Sequence, residues 1–270
     1  MRRRSLLTPL AAAGLALAFS ASTPAHAAGW APAASAAVHP GVQTDTGGSQ
    51  CTANFVFTAG GTTYLGQAAH CSGTGAATDT NGCTAGSLPL GTPVTVAGFT
   101  GTMVYNSWIA MQNAHETDAE TCAYNDLALI ALPAAAVATT NPSIPVYGGP
   151  TALGTVAAAG SNVYSYGNSS LRLGLTPFSP KRGIALSNTA GQWSTTVYTV
   201  TPGIPGDSGS GFLDASGKAI GVLSTVAIAP IPASNNIGNL SKEIAYAQSH
   251  GVGGLTLVPG TEAFNSSALI

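Results

Sequence analysis

From Cys51 to about Ile244 the chain alternates short β-branched or aromatic runs with Gly, Asn, Pro or Ser. Such punctuation allows short strands joined by turns and leaves little room for long helices, the pattern of an all-β sandwich or barrel. The 34 Gly and 17 Pro among 270 residues supply the turns. Candidate strands cover residues 54–58, 63–67, 94–98, 127–132, 162–166, 194–200 and 219–226. One helix is predicted over 240–250, with Asn239 as N-cap and Gly251 just past its end. Residues 139–150 hold three prolines and a Gly-Gly pair, which marks a linker between two β units, 51–140 and 141–238. The helix and tail occupy 239–270. Residues 28–50 are Ala-, Gly- and Pro-rich with little periodicity, an N-terminal arm or a short pro-segment.

The first residues read as an export signal. Arg2, Arg3 and Arg4 precede an apolar run from Leu6 to Phe19, and Ala25-His26-Ala27 has the small-x-small pattern of a cleavage site. That run covers only about 21 Å as a helix, too short to anchor in a bilayer. A signal over 1–27 and a secreted, extracellular product are expected. Secretion changes how Cys51, Cys71, Cys83 and Cys122 read: two disulfides are expected, since no pair has zinc-ligand spacing such as C-x-x-C. If the first hairpin turns near Gly60-Gly61, Cys51 and Cys71 lie equally far on either side. That favours a Cys51–Cys71 bridge and leaves Cys83 with Cys122.

Charge is scarce, 7% of residues with a formal net charge of −2, and 45% of the chain is hydrophobic. Neither disorder nor a coiled coil suits those values. Nucleic-acid binding is not expected either, because neutralising phosphates takes clustered Lys and Arg. Loss of residues 1–27 removes three arginines and leaves five basic against ten acidic side chains.

Three segments carry chemistry. Gly206-Asp207-Ser208-Gly209 follows a Pro-Gly-Ile-Pro turn. A serine hydroxyl needs a base to become a nucleophile and donors for the oxyanion it creates. Flanking glycines let the backbone turn so that the N–H groups of Gly206 and Ser208 can point at one oxygen. Gln67-Ala68-Ala69-His70-Cys71 puts a histidine at a strand end, and Tyr124-Asn125-Asp126 puts a carboxylate before a strongly apolar strand. Singly, each could be structural.

Together and in this order, the segments resemble the hallmarks of the chymotrypsin-like (trypsin-fold) serine proteases of secreted actinobacterial type. The resemblance implies two six-stranded antiparallel β-barrels and a C-terminal helix. It makes His70 the general base and acid, Asp126 the carboxylate that orients it, and Ser208 the nucleophile. The N–H groups of Gly206 and Ser208 would form the oxyanion hole. The implied enzyme is a serine endopeptidase acting on protein or peptide substrates, a monomer with no cofactor, no metal and no membrane attachment after signal removal. A catalytically silent binding protein or an esterase would use the same scaffold.

The chain departs from the animal members in lacking an Ile/Val-x-Gly-Gly start between Ala28 and Cys51, so Asp207 needs another partner. Arg172, Lys181 and Arg182 are the candidates. By the same resemblance Pro202, Ser224 and Val226 belong to the substrate pocket. Pro202 stands where trypsins carry an aspartate, Leu223 where glutamate-specific relatives carry a histidine, and Val226 where glycine keeps the pocket open. Cleavage after small or medium apolar residues is the expectation.

Overall fold

Left-handed backbone at paired positions sets the first hairpins. The computed structural model describes residues 29–76, 79–226 and 233–268; the expected signal lies outside them. Strands β1 (Gln43–Thr46) and β2 (Ser49–Thr52) turn on Gly47 and Gly48, and β3 (Val56–Ala59) and β4 (Thr62–Ala68) on Gly60 and Gly61. Strands β5 (Pro93–Val96) and β6 (Phe99–Asn106) turn on Ala97 and Gly98. All six turn residues have positive φ, the two-residue geometry whose twist matches that of paired strands. Next come α1 (Ser107–Asn113), α2 (Ala119–Tyr124), β7 (Leu127–Ala131) and α3 (Ala134–Val137).

In the second half β8 (Asn162–Tyr166), β9 (Pro180–Asn188), β10 (Ser194–Thr199), β11 (Gly211–Leu213), β12 (Ala219–Val226) and β13 (Asn235–Asn239) close into a six-stranded barrel. The chain then forms α4 (Leu240–His250) and a two-residue strand, β14 (Thr256–Leu257).

The first half corrects one expectation. It is an eight-stranded sheet in the order β14-β3-β4-β7-β6-β5-β1-β2, not a six-stranded barrel closed by strand pairing among the described residues. Its edges do not meet because β14 offers only two residues and β2 is engaged elsewhere: the Thr52 N–H donates to the Ser208 carbonyl at 2.8 Å. Strand β1 and the first half of β2 come from the segment expected to be an irregular arm, and β14 comes from the tail. Val38 of that arm is fully buried and bridges to Thr140.

Strand β7 explains its unbroken apolar run. It lies between β4 and β6, and alternate side chains enter different cores: Ala128 and Ile130 join Val56, Leu65 and Val96 inside the first sheet. Leu127 and Leu129 join Phe55, Tyr164, Val222 and Leu240 between the halves. A third cluster, including Val163, Val197, Phe212 and Ile237, fills the barrel. The predicted linker is itself packed, with Tyr147 fully buried in the central core and its ring edge-on to Tyr164. Cys51 is bridged to Cys71 and Cys83 to Cys122, as expected. The reason differs for the first pair, since Cys51 is on β2 and Cys71 in the turn after β4, not on facing strands of the Gly60-Gly61 hairpin.

Candidate active site

Register brings the first two groups together. Ala68, the last residue of β4, pairs with Leu127, the first of β7, so the residues just after one strand and just before the other emerge at the same end. A single helical turn, Ala69–Ser72, carries His70 there, tied by the Ala69 N–H to the Asp126 carbonyl at 3.0 Å. His70 Nδ1 lies 2.6 Å from Asp126 Oδ2, and the His70 backbone N–H donates to Asp126 Oδ1 at 2.9 Å. An ionised carboxylate only accepts, so Nδ1 carries the proton and Nε2 is left as the free base. Ser224 Oγ donates to Asp126 Oδ2 at 2.6 Å. A bulge between Leu223 and Thr225 in the β12–β13 pairing interrupts the ladder at that residue.

Burial disfavours protonated His70, but the Asp126 charge and hydrogen bond outweigh it, and the imidazole is raised above its ordinary value. The Trp108 ring lies 6.5 Å away by centroids, tilted.

The Gly206-Asp207-Ser208-Gly209 turn is held from several sides. Gln50 Nε2 and Thr52 Oγ1 donate to the Gly206 carbonyl at 3.0 and 2.7 Å. Gly209 donates to the Leu223 carbonyl at 2.7 Å. Gly209 has φ +87, and a Cβ there would strike the backbone of Thr52 and Ala68. Two further bonds orient peptide planes. Ser169 Oγ donates to the Pro205 carbonyl at 2.5 Å, and the Ser210 N–H donates to the Asp207 carbonyl at 3.1 Å. In a planar trans peptide the N–H opposes the carbonyl, so the Gly206 and Ser208 N–H groups face away from those anchors. Neither has a protein acceptor among the described residues.

Asp207, fully buried, answers the question of its partner. Arg172 Nη2 lies 2.5 Å and Lys181 Nζ 2.9 Å from its Oδ2, while the Ser169 and Ile204 N–H groups donate to its carboxylate. Burial pushes the Lys181 ammonium down, against the pull of Asp207. Arg182 is not involved; it lies over the Tyr164 ring, 5.7 Å from its centroid.

His70, Asp126, Gly206, Ser208 and Ser224 border one cleft of about 600 Å³, along with Ile204, Pro205, Leu223 and Thr225. His70 and Ser208 share this cleft without a direct hydrogen bond in the structure; such contacts are often loose before substrate binds. Pro202 does not line the cleft, and its carbonyl accepts from Arg172 and Lys181. The side chain of Val226 lies outside the described part of the structure. Cys51, His70 and Cys71 lie close enough to suggest metal ligands, but both sulfurs are in a disulfide and offer no thiolate. Sequence reasoning missed Gln50, Thr52, Ser169 and Glu243. Only the neighbouring Cys51 and the helix-start position of Glu243 pointed near them.

No family model and no curated protein matches the chain. Solved structures do. Thermobifida fusca Protease A superposes with a TM-score of 0.54 at 20% identity, covering 83% of this chain and 100% of its own. A glutamic acid specific serine protease, described as using a histidine triad in substrate binding, gives 0.53 at 17% identity over 82% of this chain and 100% of its own. Nocardiopsis protease gives 0.50 at 17% identity over 82% of this chain and 98% of its own.

Proposed function

On the premise that the chain has the fold of the bacterial chymotrypsin-like serine proteases, we propose that it is a secreted serine endopeptidase. The observation that carries this reading is the His70–Asp126 pair at 2.6 Å in a cleft shared with Ser208 and two N–H groups that have no protein acceptor among the described residues. Ser208 Oγ attacks the peptide carbonyl while His70 Nε2 takes its proton. The charge that develops on the carbonyl oxygen is met by the Gly206 and Ser208 N–H groups. As the tetrahedral intermediate collapses, His70 returns the proton to the leaving amine, and water attacks the acyl-enzyme by the same route. Asp126 holds the imidazole tautomer and stabilises the imidazolium.

Substrates with small or medium apolar side chains before the scissile bond suit this cleft. Ile204, Pro205 and Leu223 contribute apolar surface, and no Lys or Arg borders it among the described residues. Nor does a three-histidine site for an acidic side chain assemble, since His70 alone among the described histidines borders the cleft. Asp207, the acid nearest the nucleophile in sequence, is occupied by two cations. Cleavage mapping on a peptide library is expected to show Ala, Val or Leu before the cut; dominant Arg, Lys or Glu would overturn the specificity.

Labelling with a serine-directed phosphonofluoridate tests the activity itself. Folded wild-type protein is expected to label at Ser208, and Ser208→Ala to stay unlabelled with an unchanged melting curve. Folded wild type that resists the reagent would reject the enzyme reading.

A further inference from the structure

Glu243 lies in the first turn of α4, has no exposed surface and belongs to none of the three motifs. Two neighbours set its place. Asn239 caps the helix by accepting the Ser241 N–H at 3.1 Å. At Gly238 any side chain would run into the Glu243 carboxyl and the Tyr124 carbonyl. The carboxyl is thereby turned onto the start of β7, where Oε1 accepts the Asp126 backbone N–H at 3.0 Å. Asp126 is thus held through its main chain from α4, while its carboxylate is held by His70 and Ser224.

The surroundings decide the charge of Glu243. Oε2 has no hydrogen-bond partner, and no Lys or Arg pairs with the carboxyl among the described residues. The titratable groups that face it are Asp126 ahead of β7 and Tyr105 on β6, with Tyr246 on α4 beside Tyr105. None supplies positive charge. Lys242, the preceding residue, is drawn away over the Trp193 ring, 5.2 Å from its centroid. A buried carboxylate without a cation, next to a second carboxylate, is strongly disfavoured, so the group keeps its proton. Burial chiefly, with the Asp126 charge adding to it, pushes Glu243 well above the usual carboxylate range; the Asp126 N–H opposes this only in part.

We propose that Glu243 is a positioning residue for the Asp126–His70 pair, an uncharged acceptor that fixes the Asp126 main chain without placing a second negative charge behind it. The proposal rests on the reading of His70, Asp126 and Ser208 as a catalytic triad. Its physical content is that glutamine, neutral and with the same acceptor oxygen, can stand in for Glu243. Leucine cannot, because it orphans a buried N–H. A negative charge at this place would favour the imidazolium and leave less free base at neutral pH.

The test compares Glu243→Gln and Glu243→Leu by steady-state kinetics and by NMR titration of His70. Glu243→Gln is expected to keep kcat within about twofold of wild type and to leave the His70 titration in place. In Glu243→Leu kcat should fall about tenfold or more with KM little changed, and the His70 titration should move. A folded Glu243→Leu equal to wild type in both readouts overturns the proposal, as does a Glu243→Gln that loses as much as Glu243→Leu. If Glu243→Leu does not fold, the glutamine variant decides alone: a His70 titration displaced by about one unit or more overturns the proposal, and coincidence with wild type supports it. Repeating the titrations in a Ser208→Ala background needs no turnover. A protein without peptidase activity whose His70 still responds to Glu243→Leu would reject the enzyme reading and leave the positioning role intact.

Discussion

His70 is governed by opposed influences of one carboxylate and one apolar wall. Burial lowers it, Asp126 raises it, and Asp126 prevails. Activity that needs free Nε2 should therefore rise with pH through an apparent value above the ordinary histidine range of about 6.5. In Asp126→Asn only burial remains. His70 should then titrate below about 6.5 by NMR, and kcat should fall about 10⁴-fold because the tautomer is no longer fixed. An unmoved His70 titration would contradict the assigned cause. Asp207 poses a different residue-scale problem, since one buried carboxylate serves Arg172 and Lys181 together. Asp207→Asn strands the buried Lys181 and the part-buried Arg172 and should cost about 3–5 kcal/mol in denaturant unfolding. A loss under about 1 kcal/mol would mean that the cations find other partners.

At the scale of elements, hairpins and caps explain both what was legible and what was not. Helix α4 matches the residues expected from Asn239 and Gly251, and β8 and β12 match their expected bounds. Helices α1 and α2 escaped notice because seven and six residues are too few to show a helical period. Their signal lay in the caps: Asn106 accepts from Trp108 and Ile109, and Asp118 from Thr121. The β5–β6 turn carries a defect of its own, with exposed Ala97 at φ 49 where its sister hairpins have glycine. An L-residue there costs about 1–2 kcal/mol, part of which glycine returns as unfolded-chain freedom. Ala97→Gly should thus stabilise the protein by about 0.5 kcal/mol and raise its Tm by about 1–2 °C, read by calorimetry. A lowered Tm would show that the turn strain is relieved elsewhere.

For the molecule as a whole, the cleft lies between two halves that exchange main-chain contacts. Thr52 of the first sheet bonds Ser208 and Gly206 of the second half, and Glu243 of α4 bonds Asp126 of the first. The segment before Cys51 takes part in this: β1 pairs with both β2 and β5, and Val38 is in the core. Deleting residues 29–46 should abolish the cooperative thermal transition and leave a chain readily cut by added protease. An unchanged melting curve would restore the reading of that segment as a removable pro-segment.

The sequence by itself determined the β class, the closing helix, the presence of two disulfides and the place of the three motifs. Each is written in local signals: turn glycines, caps, an even count of cysteines, and short blocks whose residue types suit one chemistry. Tertiary structure alone decided the rest. The order of the eight strands in the first half and the closure of the six in the second depend on which strand edges meet, and the choice of Arg172 with Lys181 over Arg182 depends on which side chains reach one buried carboxylate. Glu243 and Ser169 act on groups 117 and 36 residues away, and no local pattern records a contact made by the packing of distant elements.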